Sequence, residues 1–373
     1  MKLIYLDNAA TTAPDKEILA AATEYCADNY YNPSALYREG RSVRKTVEDA
    51  REVFMKGFKK RKIVFTSCGT EADLTAVNAF AKRGNVVTTE GEHAAIQSAF
   101  ELLKRRGTEV RFAKLKYGGA VDEEDLLNKI DGNTSFVSVV HVNNETGAIN
   151  DVNALASAVK KINPRAVFHT DAVQSFLKIP YVFSETVDLI SVSAHKIKAL
   201  KGCGALIYNE NLHFEPFIVG GGQENGMRSG TENVLGIKVF ADAYSRYSLS
   251  LQNNYDRISD LKSQFIERLD KRYFKILSPE NSSPYLLSLS AVGLKGEIVQ
   301  REMDDLGFII GKGSACSSKN PHSRVIRAFE KDVKVLDGVI RISFIFDTDR
   351  SEALSACDAL NGIAEKLYGK IVI

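Results

Sequence analysis

The sequence predicts an α/β protein, with a large domain on a mainly parallel sheet and a smaller α+β domain after it. Three observations point there. From residue 62 to residue 170, short apolar runs alternate with segments of helical period, and such alternation calls for parallel strands covered by crossover helices on both faces. Val187 to Val192 is a largely apolar run that reads as a short buried strand. With 373 residues the chain exceeds one small core, and beyond residue 270 strands and helices no longer alternate regularly.

Taken in order, Leu3 to Leu6 reads as a strand, and Asp7-Asn8-Ala9-Ala10-Thr11-Thr12 as a small-residue turn before an acidic helix start at Asp15. Asn32-Pro33-Ser34 breaks the chain. From Glu39 to Phe58, apolar Val43, Val47, Ala50, Val53, Phe54 and Phe58 recur at helical spacing and form a core-facing stripe. Lys62 to Thr66 is a strand, Ser67-Cys68-Gly69-Thr70-Glu71 a turn, and Ala72 to Lys82 a helix. A strand, a glycine-bearing turn and a helix start aim free N–H groups and the helix dipole at an anion, although the Thr70 hydroxyl serves equally as a plain cap.

The alternation then runs Val86 to Thr89 with Ala94 to Arg105, Val110 to Ala113 with Glu123 to Ile130, Phe136 to His141 with Val152 to Ile162, and Ala166 to Thr170. Ligands of such sheets bind beyond the carboxyl ends of the strands. Polar residues collect at those ends: Glu92-His93, Asn143-Asn144-Glu145, Asp171-Ala172-Val173-Gln174 and Lys196, the last followed by Gly202 and Gly204, which let an anionic group approach the backbone. Val234 to Leu269 reads as one helical segment. The remainder holds strands near Phe274 to Leu277, Leu286 to Ala291 and Val339 to Phe344, with helices near Glu297 to Leu306, Ser323 to Phe329 and Ser351 to Leu367.

Composition narrows the functional classes. An apolar fraction of 44% and a charged fraction of 26% are those of an ordinary globular protein, and a net charge of +2 argues against nucleic acid or an anionic membrane as main partner. No apolar run is long enough to span a bilayer and the N-terminus lacks the long apolar region of a signal peptide, so a cytoplasmic location is expected. Five cysteines, odd in number and without a C-x-x-C pair, disfavour a disulfide framework or a structural zinc site and leave room for one working thiol. Cys26, Cys203 and Cys357 read as small buried hydrophobes, whereas Cys316 lies in Gly311 to Asn320, a stretch too polar and glycine-rich for a core and flanked by lysines that favour a thiolate.

Lys196 is the residue on which the chemistry turns. Flanked by Ser193 and His195, a lysine in a pocket loses proton affinity and becomes an amine nucleophile for an aldehyde. Around it stand seven motifs in order: Thr66-Ser67-Cys68-Gly69-Thr70-Glu71, Thr89-Glu90-Gly91-Glu92-His93, His141-Val142-Asn143-Asn144-Glu145-Thr146-Gly147, His169-Thr170-Asp171-Ala172-Val173-Gln174-Ser175, Ser193-Ala194-His195-Lys196, Met227-Arg228-Ser229-Gly230-Thr231 and Gly313-Ser314-Ala315-Cys316. With these the chain resembles the NifS/IscS-like cysteine desulfurases of the class V aminotransferase superfamily, from Tyr5 to Ser343.

The resemblance implies the fold type I of pyridoxal 5'-phosphate enzymes, with a seven-stranded large domain over residues 14–246 and a small domain of residues 1–13 plus 247–373 that carries the cysteine loop. It implies that Lys196 holds the cofactor and serves as base at the substrate Cα, that Asp171 faces the pyridine nitrogen, and that Gln174 donates to the phenolic oxygen. Asn144 would lie beside it near the substrate carboxylate, and His93 would stack on the ring and shuttle protons. Gly69, Thr70, Ser193 and His195 would hold the phosphate, with Thr231 reaching the phosphate of a neighbouring subunit in a homodimer. Arg341 would bind the substrate carboxylate as a bidentate pair, assisted by Asn32. Cys316 would attack the sulfur of L-cysteine, keep it as a persulfide and pass it to an acceptor protein serving iron–sulfur assembly, tRNA thiolation or cofactor sulfuration, while L-alanine is released.

A selenocysteine lyase, a cysteine-sulfinate-acting relative or a class V aminotransferase would share the cofactor residues, and a non-catalytic scaffold of a sulfur complex is the alternative of another class. The sequence departs from the family pattern at Ile197-Lys198-Ala199-Leu200, where Gly-Pro is usual, at Tyr37, Cys68, and at Ile345-Phe346.

Overall fold

The structure, a computed structural model, describes residues 3–313 and 322–371. Its strands in chain order are β1 (Ile4–Leu6), β2 (Arg61–Thr66), β3 (Asn85–Thr89), β4 (Glu109–Ala113), β5 (Thr134–Ser138), β6 (Val167–Asp171), β7 (Leu189–Ser193), β8 (Gly204–Asn209), β9 (Phe274–Ile276), β10 (Leu286–Ala291), β11 (Phe308–Lys312) and β12 (Val339–Ser343). A seven-stranded sheet runs in the order β2-β8-β7-β6-β5-β3-β4, and a five-stranded sheet in the order β1-β11-β12-β10-β9. In the larger sheet β4, β3, β5, β6 and β7 pair in parallel, whereas β8 is antiparallel to both β7 and β2.

Successive side chains of a strand point to opposite faces, and here both faces are apolar. Val86, Phe136, Leu189 and Leu206 pack on one face against Ala72, Ala76 and Phe100 of the helices Gly69–Phe80 and Ala94–Arg105. Their chain neighbours Val87, Val137, Ile190 and Ile207 belong to the core on the other face, with Leu155 and Val159 of the helix Val152–Ile162 and Phe240 of the helix Val234–Ser248. That two-sided burial is why these strands read as plain apolar runs.

Several expectations are corrected. Strand β8 was not foreseen: Gly204 lies within it, where a Cβ would come within 2.7 Å of the Cys68 carbonyl carbon and 2.8 Å of the Val192 oxygen, so the close approach is made by the chain's own backbone. The first turn of the helix after β2 begins at Gly69 with Cys68 as its cap residue, so Thr70 is inside the helix and not its cap. The segment from Val234 is two helices, Val234–Ser248 and Leu251–Arg268. Gly311 and Lys312 end a strand rather than open a loop, because β11 pairs with both β1 and β12. Cys203 and Cys357 are buried, but Cys26 is partly exposed. No helix among the described residues is long and apolar enough to cross a membrane.

Strand β2 is the edge of the larger sheet, and an ion pair closes it. The carbonyl of Ile63 accepts from Arg51 Nη1 at 2.7 Å, and the N–H of Phe65 donates to Glu224 Oε2 at 2.8 Å. Arg51 and Glu224 also meet each other in a two-pronged contact of 2.9 and 3.0 Å. The free edge is thereby capped by side chains where another strand would otherwise dock. Replacing Glu224 by Ala leaves the Phe65 N–H without its acceptor and Arg51 with only the half-exposed Glu48 as carboxylate partner, so Glu224→Ala is expected to cost about 2 kcal/mol. The loss is to be read from the urea midpoint at unchanged slope.

Candidate active site

The ends of β3 and β7 and the segment after β5 open onto a cavity of about 1220 Å³ whose lining includes His93, Asn144, Lys196 and Arg341. Lys196 sits in the single turn Ala194–Lys196 directly after β7. Its Nζ donates to the carbonyls of Ala9 at 2.6 Å and Ala10 at 2.7 Å, both from the segment that follows β1. Burial, then the Arg341 guanidinium, push the Lys196 ammonium down to about 8, against the weaker pull of Asp171 and Asp7.

The departure at Ile197 to Leu200 is accommodated. Lys198 takes the left-handed conformation at φ 63°. Its N–H donates to Thr12 Oγ1 at 2.8 Å, while its carbonyl accepts from Asp15 N at 2.8 Å and its amine pairs with Asp347. Ile197 and Ala199 are buried on either side, so the altered turn is clamped by the N-terminal segment and still delivers Lys196 to the cavity.

Opposite the lysine lie three titratable groups. Asp73, His93 and Asp171 bring one ligand atom each to within 4.8 Å of one another. Burial, then the neighbouring Asp171, push the Asp73 carboxyl well up, and burial also raises Asp171, against the opposing pull of His93 and Lys196. Asp73 is pushed up further than Asp171, so of the two it takes a proton first. Asp171 Oδ1 accepts from Val173 N at 2.9 Å, but a turn follows and no helix, so it is not a helix cap. His93 caps the helix Ala94–Arg105 by accepting from Ala95 N at its Nδ1, 3.2 Å away, which leaves Nε2 as the protonated nitrogen.

Gly69, Thr70, Ser193 and His195 are the residues expected to hold an anion. Gly69 starts a helix, and a Cβ there would sit 2.9 Å from Val173 and 3.4 Å from Ser193. Ser193 is buried, and its Oγ finds no hydrogen-bond partner among the described residues. Thr70 is exposed at the same helix start. His195 Nδ1 lies 3.1 Å from Thr11 Oγ1, and burial, then Lys196, push its imidazole down to about 4, so it is neutral at physiological pH. Glu71 ties Ser67 N at 2.9 Å and is paired by Arg228 Nε at 2.8 Å, which anchors the loop bearing Thr231 to the cradle. An unpartnered hydroxyl at a helix start, a buried carboxylate and an amine of lowered proton affinity fit the phosphate, ring nitrogen and aldehyde of pyridoxal 5'-phosphate in turn.

Gln174 donates from Nε2 to the Ala9 carbonyl at 2.9 Å. Arg341, on β12, donates from Nη2 to Asp7 Oδ1 and from Nη1 to the Asn144 carbonyl, both at 2.8 Å, while its buried Nε has no partner among the described residues. A Cβ at Gly311 would lie 2.5 Å from Asp7 Oδ1, so this glycine makes room for the Arg341–Asp7 pair.

Not every expected residue converges here. Asn32 is exposed, its Oδ1 is taken by Ser34 N at 2.9 Å, and it does not line the cavity. Thr231 is likewise exposed and outside the lining, and Gly69, Thr70, Asp171, Gln174, Ser193 and His195 are not part of the lining either. Cys316 lies outside the described residues.

Sequence reasoning gave no role to Asp7, Asp73, Glu92, Glu145, Lys178 or Arg324. Glu92, beside His93, accepts from Val140 N at 2.9 Å, and burial pushes its carboxyl up to about 8. Arg324 reaches across from the other side of the cavity to the carbonyls of Glu90 and, at 2.7 Å, Glu92. Only Asp7, Asp73, Glu92 and Glu145 stood in or next to matched motifs. For Lys178 and Arg324 no local signal existed.

The profile of the family described as aminotransferase class-V matches residues 4–354. The chain is 34% identical to the cysteine desulfurase IscS of Dictyoglomus turgidum, over 98% of this chain and 95% of the relative. It is similar to a solved NifS-like protein, with a TM-score of 0.90 at 31% identity over 97% of this chain and 99% of the other. A solved structure of SspA in complex with cysteine is similar at a TM-score of 0.78 and 26% identity, over 91% of this chain and 98% of that one.

The amine at position 196 gives a pH test. Between about 8 and the ordinary lysine value of 10.5 the unfolded chain keeps a proton that the folded chain has lost, so this group makes folding more favourable as pH rises through that window. In the apoprotein, labelling of Lys196 by an amine-selective reagent, followed by peptide mass spectrometry, is expected to have its midpoint near 8. Arg341→Met should move that midpoint upward, since Arg341 is the nearest cation opposing the proton.

Proposed function

The chain belongs to the class-V aminotransferase family, within its cysteine desulfurase branch, and from this premise we propose that it removes sulfur from L-cysteine and releases L-alanine, with pyridoxal 5'-phosphate held at Lys196. The observation that carries the reading is the Lys196 amine, pushed down to about 8 at the strand ends, with buried Asp171 and the Gly69–Ser193 cradle beside it. When bound, the cofactor supplies an electron sink for the pair left on Cα when its proton departs.

The chain's own residues supply the rest. Gly69, Thr70, Ser193 and His195 hold the phosphate, Asp171 keeps the ring nitrogen protonated, and Gln174 donates to the phenolic oxygen, with Asn144 close by. His93 covers the ring and offers its Nε2 proton to the substrate. Arg341, oriented by Asp7 and the Asn144 carbonyl, receives the substrate carboxylate on its remaining N–H groups. Lys196 moves the Cα proton. Cys316, placed by sequence alone, attacks the substrate sulfur as a thiolate: a sulfur–sulfur bond forms, the carbon–sulfur bond breaks, and the electron pair left on carbon is protonated on the way to alanine. The persulfide then goes to a sulfur-acceptor protein.

We take residues 14–246 as the cofactor-holding domain and residues 1–13 with 247–373 as the smaller one. Asn32 and Thr231, exposed and away from the cavity of their own chain, are assigned to a homodimer in which Thr231 serves the partner's phosphate site.

Sulfide and alanine release from L-cysteine is the direct assay. Cys316→Ala should lose about 100-fold or more of both products while keeping the cofactor's visible absorbance. Alanine formed at the wild-type rate by that variant would refute the nucleophile. Arg341→Lys keeps the charge but not the planar fork, and should raise KM for cysteine roughly tenfold with a smaller change in kcat.

A further inference from the structure

Lys178 is a buried amine that the mechanism above does not use. It is 2% exposed and ranks among the largest fully buried side chains of the described residues. A lysine so placed carries a desolvation penalty and is retained where its donor matters. Leu177, the non-glycine residue just before it, takes the left-handed conformation at φ 57° and packs in the core. The Lys178 amine donates to Gln174 Oε1 at 3.4 Å, while Gln174 Nε2 donates to the Ala9 carbonyl at 2.9 Å. The same carbonyl accepts from Lys196. A side-chain amide can sit either way round, and only its partners decide. Burial pushes Lys178 down to about 7; as an ammonium it can only donate to Gln174, and the Ala9 carbonyl can only accept from it, so together they favour one orientation.

We propose that Lys178 is a positioning residue that holds the Gln174 amide with its oxygen toward the buried amine and its Nε2 toward the Ala9 carbonyl, leaving the second hydrogen of Nε2 to donate to the phenolic oxygen of the cofactor. The proposal rests on the cofactor assignment above and extends it to a residue outside the cavity wall. The charged groups that face Lys196 are Arg341 and Asp7 from the smaller sheet and Asp171 from the end of β6. Lys178 in turn feels Lys196 and Arg341. Donation by Gln174 stabilises negative charge on the phenolic oxygen, which loosens the proton held on the Lys196 nitrogen in the loaded protein. Without the lock, that proton is held more tightly.

The test is a pH titration of the visible absorbance of the holoprotein in wild type, Lys178→Met, Gln174→Ala and the double variant, with melting of each apoprotein at pH 7. Lys178→Met should move the absorbance midpoint upward by about half a pH unit or more. The double variant should shift no further than Gln174→Ala alone, because both changes remove one interaction. The Lys178→Met apoprotein should melt no lower than wild type, since the substitution removes a buried amine and keeps the volume. Lys178→Leu, with the same expected shift, replaces it if methionine is not tolerated. An unmoved midpoint, additive shifts, or a large drop in melting temperature would each overturn the proposal and leave the cofactor assignment standing. Wild-type protein that takes no pyridoxyl adduct on Lys196 after borohydride reduction would overturn the assignment, and the positioning role with it.

Discussion

A lysine amine removed from water needs acceptors, and Lys196 finds them in the two backbone carbonyls of Ala9 and Ala10. This contact fastens the start of the chain to the end of β7. Thr12 reinforces it by donating from both its hydroxyl and its N–H to the His195 carbonyl, at 2.9 and 3.0 Å. Because the same segment continues from β1, the smaller sheet is tied to the carboxyl edge of the larger one directly over the lysine. The cavity exists because these two sheets meet there.

Charge is balanced within that cavity. Lys196 and Arg341 lower the proton affinity of Lys178, Arg341 lowers that of Lys196, and Asp171 and Asp7 oppose the shift at Lys196. Burial raises both Asp73 and Asp171, and the charge on Asp171 raises Asp73 further. Burial is the leading cause of every one of these shifts, and the dry site is what makes an ordinary amine reactive near neutrality. Arrays of this kind concentrate at sites of chemistry, because unpaired charge elsewhere would only destabilise the fold.

The parallel strands were legible because burial on both faces leaves short apolar runs, as in Val86-Val87 and Leu189-Ile190. The helices Ala94–Arg105 and Val152–Ile162 were legible to the residue, since each has a polar residue as its cap, His93 and Asp151, and an apolar stripe behind it. Strands β8 and β11 were not, because glycines at Gly204 and Gly311 resemble loop residues until the backbone of Cys68 and the Arg341–Asp7 pair are seen packed against them. Local pattern reports on local structure, and both glycines answer to residues far away in the chain.

The chain by itself determined the fold class, the order of the strand ends and the chemical kinds placed there, an amine at 196 and carboxyl groups at 92 and 171. Spacing and residue type suffice for that, because parallel strands must present their carboxyl ends on one side. Only the tertiary structure decided which of those groups share a cavity, that Asp73 is buried beside Asp171 and pushed up further than it, and that Lys178 lies buried behind Gln174. Proton affinity and amide orientation depend on distance and desolvation, and those quantities come into being only when remote segments pack together.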